Sequence, residues 1–321
     1  MRVKMNYLKL FSFFMKSRII RFLFIFQLIV FNYYLSAQEL NNTLDSLRFY
    51  GDVFSNAVVD DHKIIAAREF DRLFGRMLED DDVLSRIEEI PFISKQIPTD
   101  SSFAIFTWRL ALNNKSDFNY FGYIYSPDGK FQAIRLDNFI KSGRIDEYSI
   151  LSSDYWPGAF YYGIKPFQLP GGKEAWLLFG VNGHSKFTRI RIMDVLHRTG
   201  NDFYFGYPVF GENASEIPRR GKTRIMMEYS FDAPVYLNYD PEYELIVMNL
   251  IEKKTGMHPG QGITGIPTGE YHGYRFEDGV WIYVPEIVRK RETPIPDAPP
   301  NRRTGPRRDL FGNPIDQDRR N

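Results

Sequence analysis

The chain contains no cysteine. That absence removes disulfides, thiolate zinc sites, a cysteine nucleophile and a lipidated cysteine. Histidine is sparse as well. His62, His184, His197, His258 and His272 are scattered, with no His-Glu-x-x-His and no pair four residues apart, so no helix-borne metal site is written in the sequence. No Ser-x-x-Lys occurs. The glycine-rich stretch TGMHPGQGITGIPTG lacks the Lys-Ser/Thr and following helix of a phosphate cradle, and it reads as a flexible connection. The expectation is therefore no cofactor, no metal and no catalytic residue that sequence alone singles out.

An excess of positive charge is also missing. The chain has 41 basic and 40 acidic residues, and six of the basic ones but none of the acidic ones lie in residues 1–37. Without that segment, 35 basic residues face 40 acidic ones, a net of −5. Bulk electrostatics then argues against nucleic acid as a partner. A basic start, the apolar run FLFIFQLIVFNYYLSA and a small residue at Ala37 describe a signal peptide cut after Ala37. Only about 10 apolar residues precede Asn32, fewer than the roughly 20 that span a bilayer. Met15 is an alternative start. The expected location is periplasmic, with extracellular as the alternative.

What is present organises the rest. Residues 38–97 read as a helical arm, because Ala66, Phe70, Leu73, Phe74, Met77 and Leu78 recur at three- and four-residue spacing. VLSRIEEI forms a second helical stretch behind Asp80 to Asp82 and stops at Pro91. Residues 98–284 carry about a dozen short aromatic and β-branched runs at roughly 10-residue spacing, separated by turns such as Ser126-Pro127-Asp128-Gly129 and Glu277-Asp278-Gly279. With no crossover helices between them, the expected fold is α+β and mainly β: a helical arm, then an antiparallel sandwich, open barrel or curled sheet. Residues 285–321, with seven prolines and nine basic residues, read as a disordered tail whose membrane contact is at most peripheral.

Candidate chemistry is thin. VNGHSKF follows the apolar AWLLFG and resembles the entrance to a nucleophile elbow, but Phe187 stands where the second glycine belongs and a strand pattern follows. Asn182-Gly183 is instead a hairpin signal, since both tolerate positive φ, which makes Ser185 a turn residue. Asp194 and Glu228 sit within strand patterns and read as structural. The remaining signal is aromatic: SDYWPGAFYYGIKPF gathers Tyr155, Trp156, Tyr161 and Tyr162 about a Pro-Gly turn that tends to lie at a sheet rim. These four are the candidate binding residues for a sugar ring or protein partner, and Trp156 is the best-placed anchor.

SFAIFTWRL, YYGIKPF, AWLLFGVNG, IRIMDVL, FGYPVFG, RIMMEYS, LNYD, LIVMNL and YHGYRFEDGVWIYV occur in this order. That order resembles a widespread family of uncharacterised exported proteins of Bacteroidota. Members commonly have Phe-Asp-His-Leu at Val247-Met248-Asn249-Leu250, and Asp-Gly-Ser-Tyr-Asp-Gly at Thr268 to Gly273. The resemblance implies an envelope protein and no particular activity. Asp45-Ser46-Leu47 is similar to the O-glycosylation acceptor of such bacteria. The chain does not end in an aromatic residue or a β-rich sorting domain, which favours the periplasm. The functional expectation is a non-enzymatic envelope protein acting through protein or glycan contacts. The alternative is a carbohydrate-active hydrolase with carboxylates brought together from different strands.

Overall fold

The computed structural model describes residues 42–79, 83–87, 90–137 and 146–288. Residues 1–41, with the expected signal peptide, Asp80 to Asp82 and the chain beyond Val288 lie outside the described residues. Helix α1 covers residues 42–56; α2 (Asp60–Met77) and the short α3 (Val83–Ile87) follow. The first sheet is β1 (Ser94–Gln96), β2 (Ala104–Leu112), β3 (Asp117–Tyr125) and β4 (Ile134–Asp137), in that order and antiparallel.

The middle sheet runs β5 (Leu151–Ser152), β9 (Asp202–Phe205), β8 (Thr188–Thr199), β7 (Glu174–Asn182), β6 (Phe160–Gln168). A sixth strand, β11 (Arg224–Ser230), also pairs with β8. Since β7 holds one edge of β8, β9 and β11 divide the other, β9 taking its last residues and β11 its first. The third sheet runs β10 (Phe210–Gly211), β15 (Val280–Val284), β14 (Ile263–Glu277), β13 (Leu245–Thr255), β12 (Leu237–Asp240). The two-residue pairing of β10 with β15 is parallel, a departure from the antiparallel expectation. A short helix, α4 (Ile217–Arg220), precedes β11.

The layers follow from which face each side chain takes. On β2, Ala104, Phe106, Trp108 and Leu110 join the apolar stripe of α1 and α2, including Leu47, Phe70 and Phe74. Alternate residues Phe103 and Ile105 point the other way and meet Trp176, Leu178, Ile192 and Leu196 of the middle sheet. The opposite face of that sheet, with Leu177, Phe179, Met193 and Val195, packs on Ile246, Met248, Tyr274 and Trp281 of the third. Helices and three sheets thus form four layers with three cores. Two of the sheets are covered on both faces, which is why AWLLFG has no polar member. The arm is therefore one layer of the body, with Phe70 and Phe74 against the Trp108 ring at 5.2 and 5.1 Å between centroids. Each such fully buried ring contributes about 1.5–3 kcal/mol.

Two boundaries shift. The glycine-rich stretch is not a connection throughout: β14 begins at Ile263, so half of it is strand and only residues 256–262 turn the hairpin. It ladders with β13, and at Gly265 it also passes close to β11, the missing side chain leaving room for the Glu228 carbonyl. The body also continues past Val284. Ile287 is buried and its N–H bonds to the Tyr271 carbonyl at 2.8 Å, so the expected tail loses its first residues to the sheet. The Asp278-Gly279 turn holds as expected, both residues having positive φ, 47° and 89°.

One polar pair lies inside this stack. Arg224 of β11 and Asp194 of β8 are cross-strand partners, both fully buried, with Nε 3.2 Å from Oδ1. Burial pushes the Asp194 carboxyl up, while Arg224 and the Val195 N–H pull it back. The reading of Asp194 as structural agrees with this placement. Arg224→Met should destabilise the protein by about 3–5 kcal/mol in chemical denaturation, since it strands a buried carboxylate. Adding Asp194→Leu should recover most of that loss; a double variant as weak as the single would show that Arg224 matters through its other contacts.

Candidate functional site

The core between the middle and third sheets opens at one end into a groove of about 1010 Å³. Its floor comes from the inward faces of both sheets: Ile225 and Met227 from β11, Met248 and Ile251 from β13, Tyr274 from β14. The sheets touch where Gly265 passes Glu228, and they splay from there. At the far side α4 forms a wall, Ile217 seated tightly over Gly211 and Gly221, where a side chain at Gly211 would lie 2.7 Å from the Ile217 Cγ1.

The rim alternates in charge. Glu147 pairs with Lys222 at 2.8 Å, and its other oxygen accepts from the Met226 N–H at 3.0 Å. That N–H faces away from β8, so Glu147 covers part of the free edge of β11. Glu228 lies 3.9 Å from Lys253, while Glu212, Glu216 and Arg220 are exposed. At the inner end His272 contacts the Tyr283 hydroxyl through Nδ1 at 2.9 Å and the Asn249 carbonyl through Nε2 at 3.2 Å. Burial lowers the His272 pKa, so the ring is held neutral and acts as a hydrogen-bonding link between β13 and β15.

The segment carrying Glu147 and Tyr148 is fixed from below. Arg224 Nη1 donates to the carbonyls of Asp146 at 2.6 Å and Ser149 at 2.9 Å. Thr223 bonds the Glu147 carbonyl through both its N–H, at 2.7 Å, and its hydroxyl, at 3.0 Å. The groove rim is thus tied to the buried ion pair.

None of this groove was singled out from sequence. Its floor residues look like ordinary strand apolars; of its lining, the sequence weighs Glu228 and His272 for chemistry and assigns neither a site, and Met248, Asn249 and Leu250 enter only through the family pattern. The aromatic platform meets a correction. Trp156 is 0% exposed, its indole N–H donating to the Tyr161 hydroxyl at 3.0 Å, and Tyr161 is equally buried. The Pro-Gly turn lies between the first and middle sheets rather than on an open rim, so both rings belong to the shared core. Tyr155 is exposed. Tyr162 is half-buried on the opposite face, its hydroxyl donating to the Leu237 carbonyl at 2.7 Å. The four do not form one surface. Trp156→Ala should lower stability by about 3–5 kcal/mol in denaturant titration; a change under about 1 kcal/mol would restore the anchor reading.

The hairpin at Ser185 is also revised in detail. The residue with positive φ is His184, at 53°, and Gly183 is not among those in that region. Gly183 matters for space: a Cβ there would lie 2.5 Å from the Phe118 ring, and its N–H donates to the Tyr120 hydroxyl. Ser185 Oγ accepts from the N–H groups of Phe187 at 3.3 Å and Thr188 at 3.1 Å, which caps the turn. The hydroxyl is structural, and among the described residues no histidine or carboxylate is bonded to it. Gly183→Val should therefore be damaging through collision with Phe118, and in Phe118→Ala protein the same change should be far milder when melting temperatures are compared.

The other histidines stand apart. His197 is buried against Tyr204 and Tyr207, and burial lowers its pKa to about 4; His258 pairs with Asp232 at 2.9 Å. No protein-family model matches the chain, and no curated protein or solved structure matches it either.

Proposed function

We propose that this chain is a non-enzymatic exported envelope protein whose groove takes up an extended segment of a protein partner. The observation that carries the reading is the groove itself. At about 1010 Å³ it lies at the upper end of small-molecule pockets, and it is partly open to the surface. Its floor of methionine, isoleucine and tyrosine suits apolar side chains, and methionine adapts to varied shapes. The rim of alternating carboxylates and amines supplies register and orientation. Glu147 caps the Met226 N–H, which guards β11 against indiscriminate strand addition, so recognition runs through side chains on the floor.

Kinship with the Bacteroidota family is part of the same proposal. The positions where this sequence departs from that pattern include Met248 and His272, which are cross-strand partners and line the groove. Departure at a ligand-facing pair suits a partner particular to this chain. Periplasmic placement rests on the leader and on the family likeness.

A carbohydrate-active hydrolase is the second reading, favoured by the four glutamates that line the groove. Against it, both oxygens of Glu147 are engaged by Lys222 and Met226, and the deeply buried carboxylate, Asp194, lies in the core on Arg224. The two readings separate by photo-crosslinking in the native envelope. A benzophenone side chain at Leu250, half-buried in the groove, should crosslink a discrete protein segment, while one at Val58, 96% exposed on the helical layer, should not. The same proteins from both positions, or saccharide alone from Leu250, would overturn the proposal.

A further inference from the structure

Away from the groove, three guanidinium groups gather with no carboxylate among them. Arg189 and Arg191 are two residues apart on β8, so they share the face that Met193 and Val195 present to the third sheet. Tyr229 of β11 is the cross-strand partner of Arg189. Arg109 of β2 is the cross-strand partner of Tyr120, whose hydroxyl accepts from the Gly183 N–H. The Gly183 carbonyl in turn accepts from Arg189 Nη1 at 2.9 Å. These contacts bring Arg109 and Arg189 together across the seam between the first and middle sheets.

The group is held ready. Arg189 Cζ lies 5.3 Å from the Phe118 ring centroid and 5.8 Å from that of Phe231; Arg191 Cζ lies 4.9 Å from that of Tyr162. Stacking on aromatic rings fixes the guanidinium planes before any ligand arrives. Arg189 is further anchored to loop carbonyls and Arg191 Nε to the Val235 carbonyl at 3.2 Å. Burial pushes the Arg189 guanidinium down, and the like charge of Arg109 adds to that push. Among the described residues none of the three makes an ion pair, and the exposed Arg109 head makes no hydrogen bond.

We propose that Arg109, Arg189 and Arg191 form a binding site for a phosphate or sulfate group at this seam. A single carboxylate would answer one guanidinium and leave two repelling each other. A group with two negative charges and three or more oxygens matches several forks at once. The rings are already covered by guanidinium, so recognition is of the anionic group rather than of a stacked sugar. The same chemistry is offered by the free anion and by an ester on a sugar.

The test is calorimetric titration of the full chain with inorganic phosphate and sulfate, ionic strength being held constant with sodium chloride. Saturable binding is expected, weakened roughly tenfold or more by Arg109→Gln or Arg191→Gln, as for loss of a charge-assisted hydrogen bond. Lys254→Gln, on β13 and paired with Glu252, should leave it unchanged. Arg109 is exposed, so its variant should keep the wild-type melting temperature and decides the matter if Arg191→Gln folds poorly. Glucose 6-phosphate binding more tightly than phosphate would assign a sugar ester, and equal affinity the free anion. No saturable binding into the tens of millimolar, or undiminished binding by Arg109→Gln, would overturn the site.

Discussion

Arg224 and Asp194 occupy adjacent strands at the centre of the three-sheet stack, where water cannot reach either charge. Burying an ion costs several kcal/mol even after relaxation, and mutual attraction offsets that only when the remaining donors are satisfied. Arg224 satisfies its own donors by reaching beyond Asp194, to the carbonyls of Asp146, Ser149 and Phe205, while Asp194 Oδ2 has no hydrogen-bond partner among the described residues. The segment 146–149 is consequently pinned to β11 although it belongs to no sheet, and Glu147 and Tyr148 stand at the groove rim because of it.

The stack imposes a second constraint. A middle sheet covered on both faces leaves few of its side chains free for chemistry, so functional surface is confined to places where neighbouring layers part. The splay beyond Gly265 is one such place, and the seam at the β7–β8 hairpin is another. At the first the exposed lining is apolar, because it continues a core. At the second it is cationic, because on that face β8 ends its apolar run at Met193 and turns to arginine at Arg191 and Arg189.

Much of the architecture was legible in the sequence, for reasons tied to particular residues. Strand runs such as RIMMEYS and LIVMNL are punctuated by turns whose chemistry is local, as at Asp278-Gly279. The helical stripe from Ala66 to Met77 needed only its spacing. Layer assignment was not legible. Trp156 beside Pro157-Gly158 looks like a rim residue because turn chemistry carries no information about what packs over the turn. Gly183 looks like a conformational glycine because Phe118, the residue that excludes a side chain there, is far away in sequence. The glycine-rich stretch looks like a loop because the strand it crosses, β11, is a distant partner. In each case a local rule was right about the backbone's options and silent about the non-local neighbour that chose among them.

The same distinction bears on function. Every groove residue is individually bland, and the site exists only through divergence of two sheets that the sequence does not announce. A floor built from the ends of strands, rather than from a dedicated loop, inherits the rigidity of the core at Met248 and Tyr274 while its outer residues, Leu250 and Ile251, stay half-buried. Such a site preorganises the deep contacts and leaves the shallow ones adaptable, an arrangement that would lower the ordering cost of the extended segment proposed above. Glu147 adds the polar counterpart. Held by Lys222 and by the Met226 N–H, it satisfies the strand edge without a partner and so keeps an apolar groove from becoming a template for self-association. An apolar groove beside a free strand edge needs that guard in place, and the buried Arg224 is what holds it there.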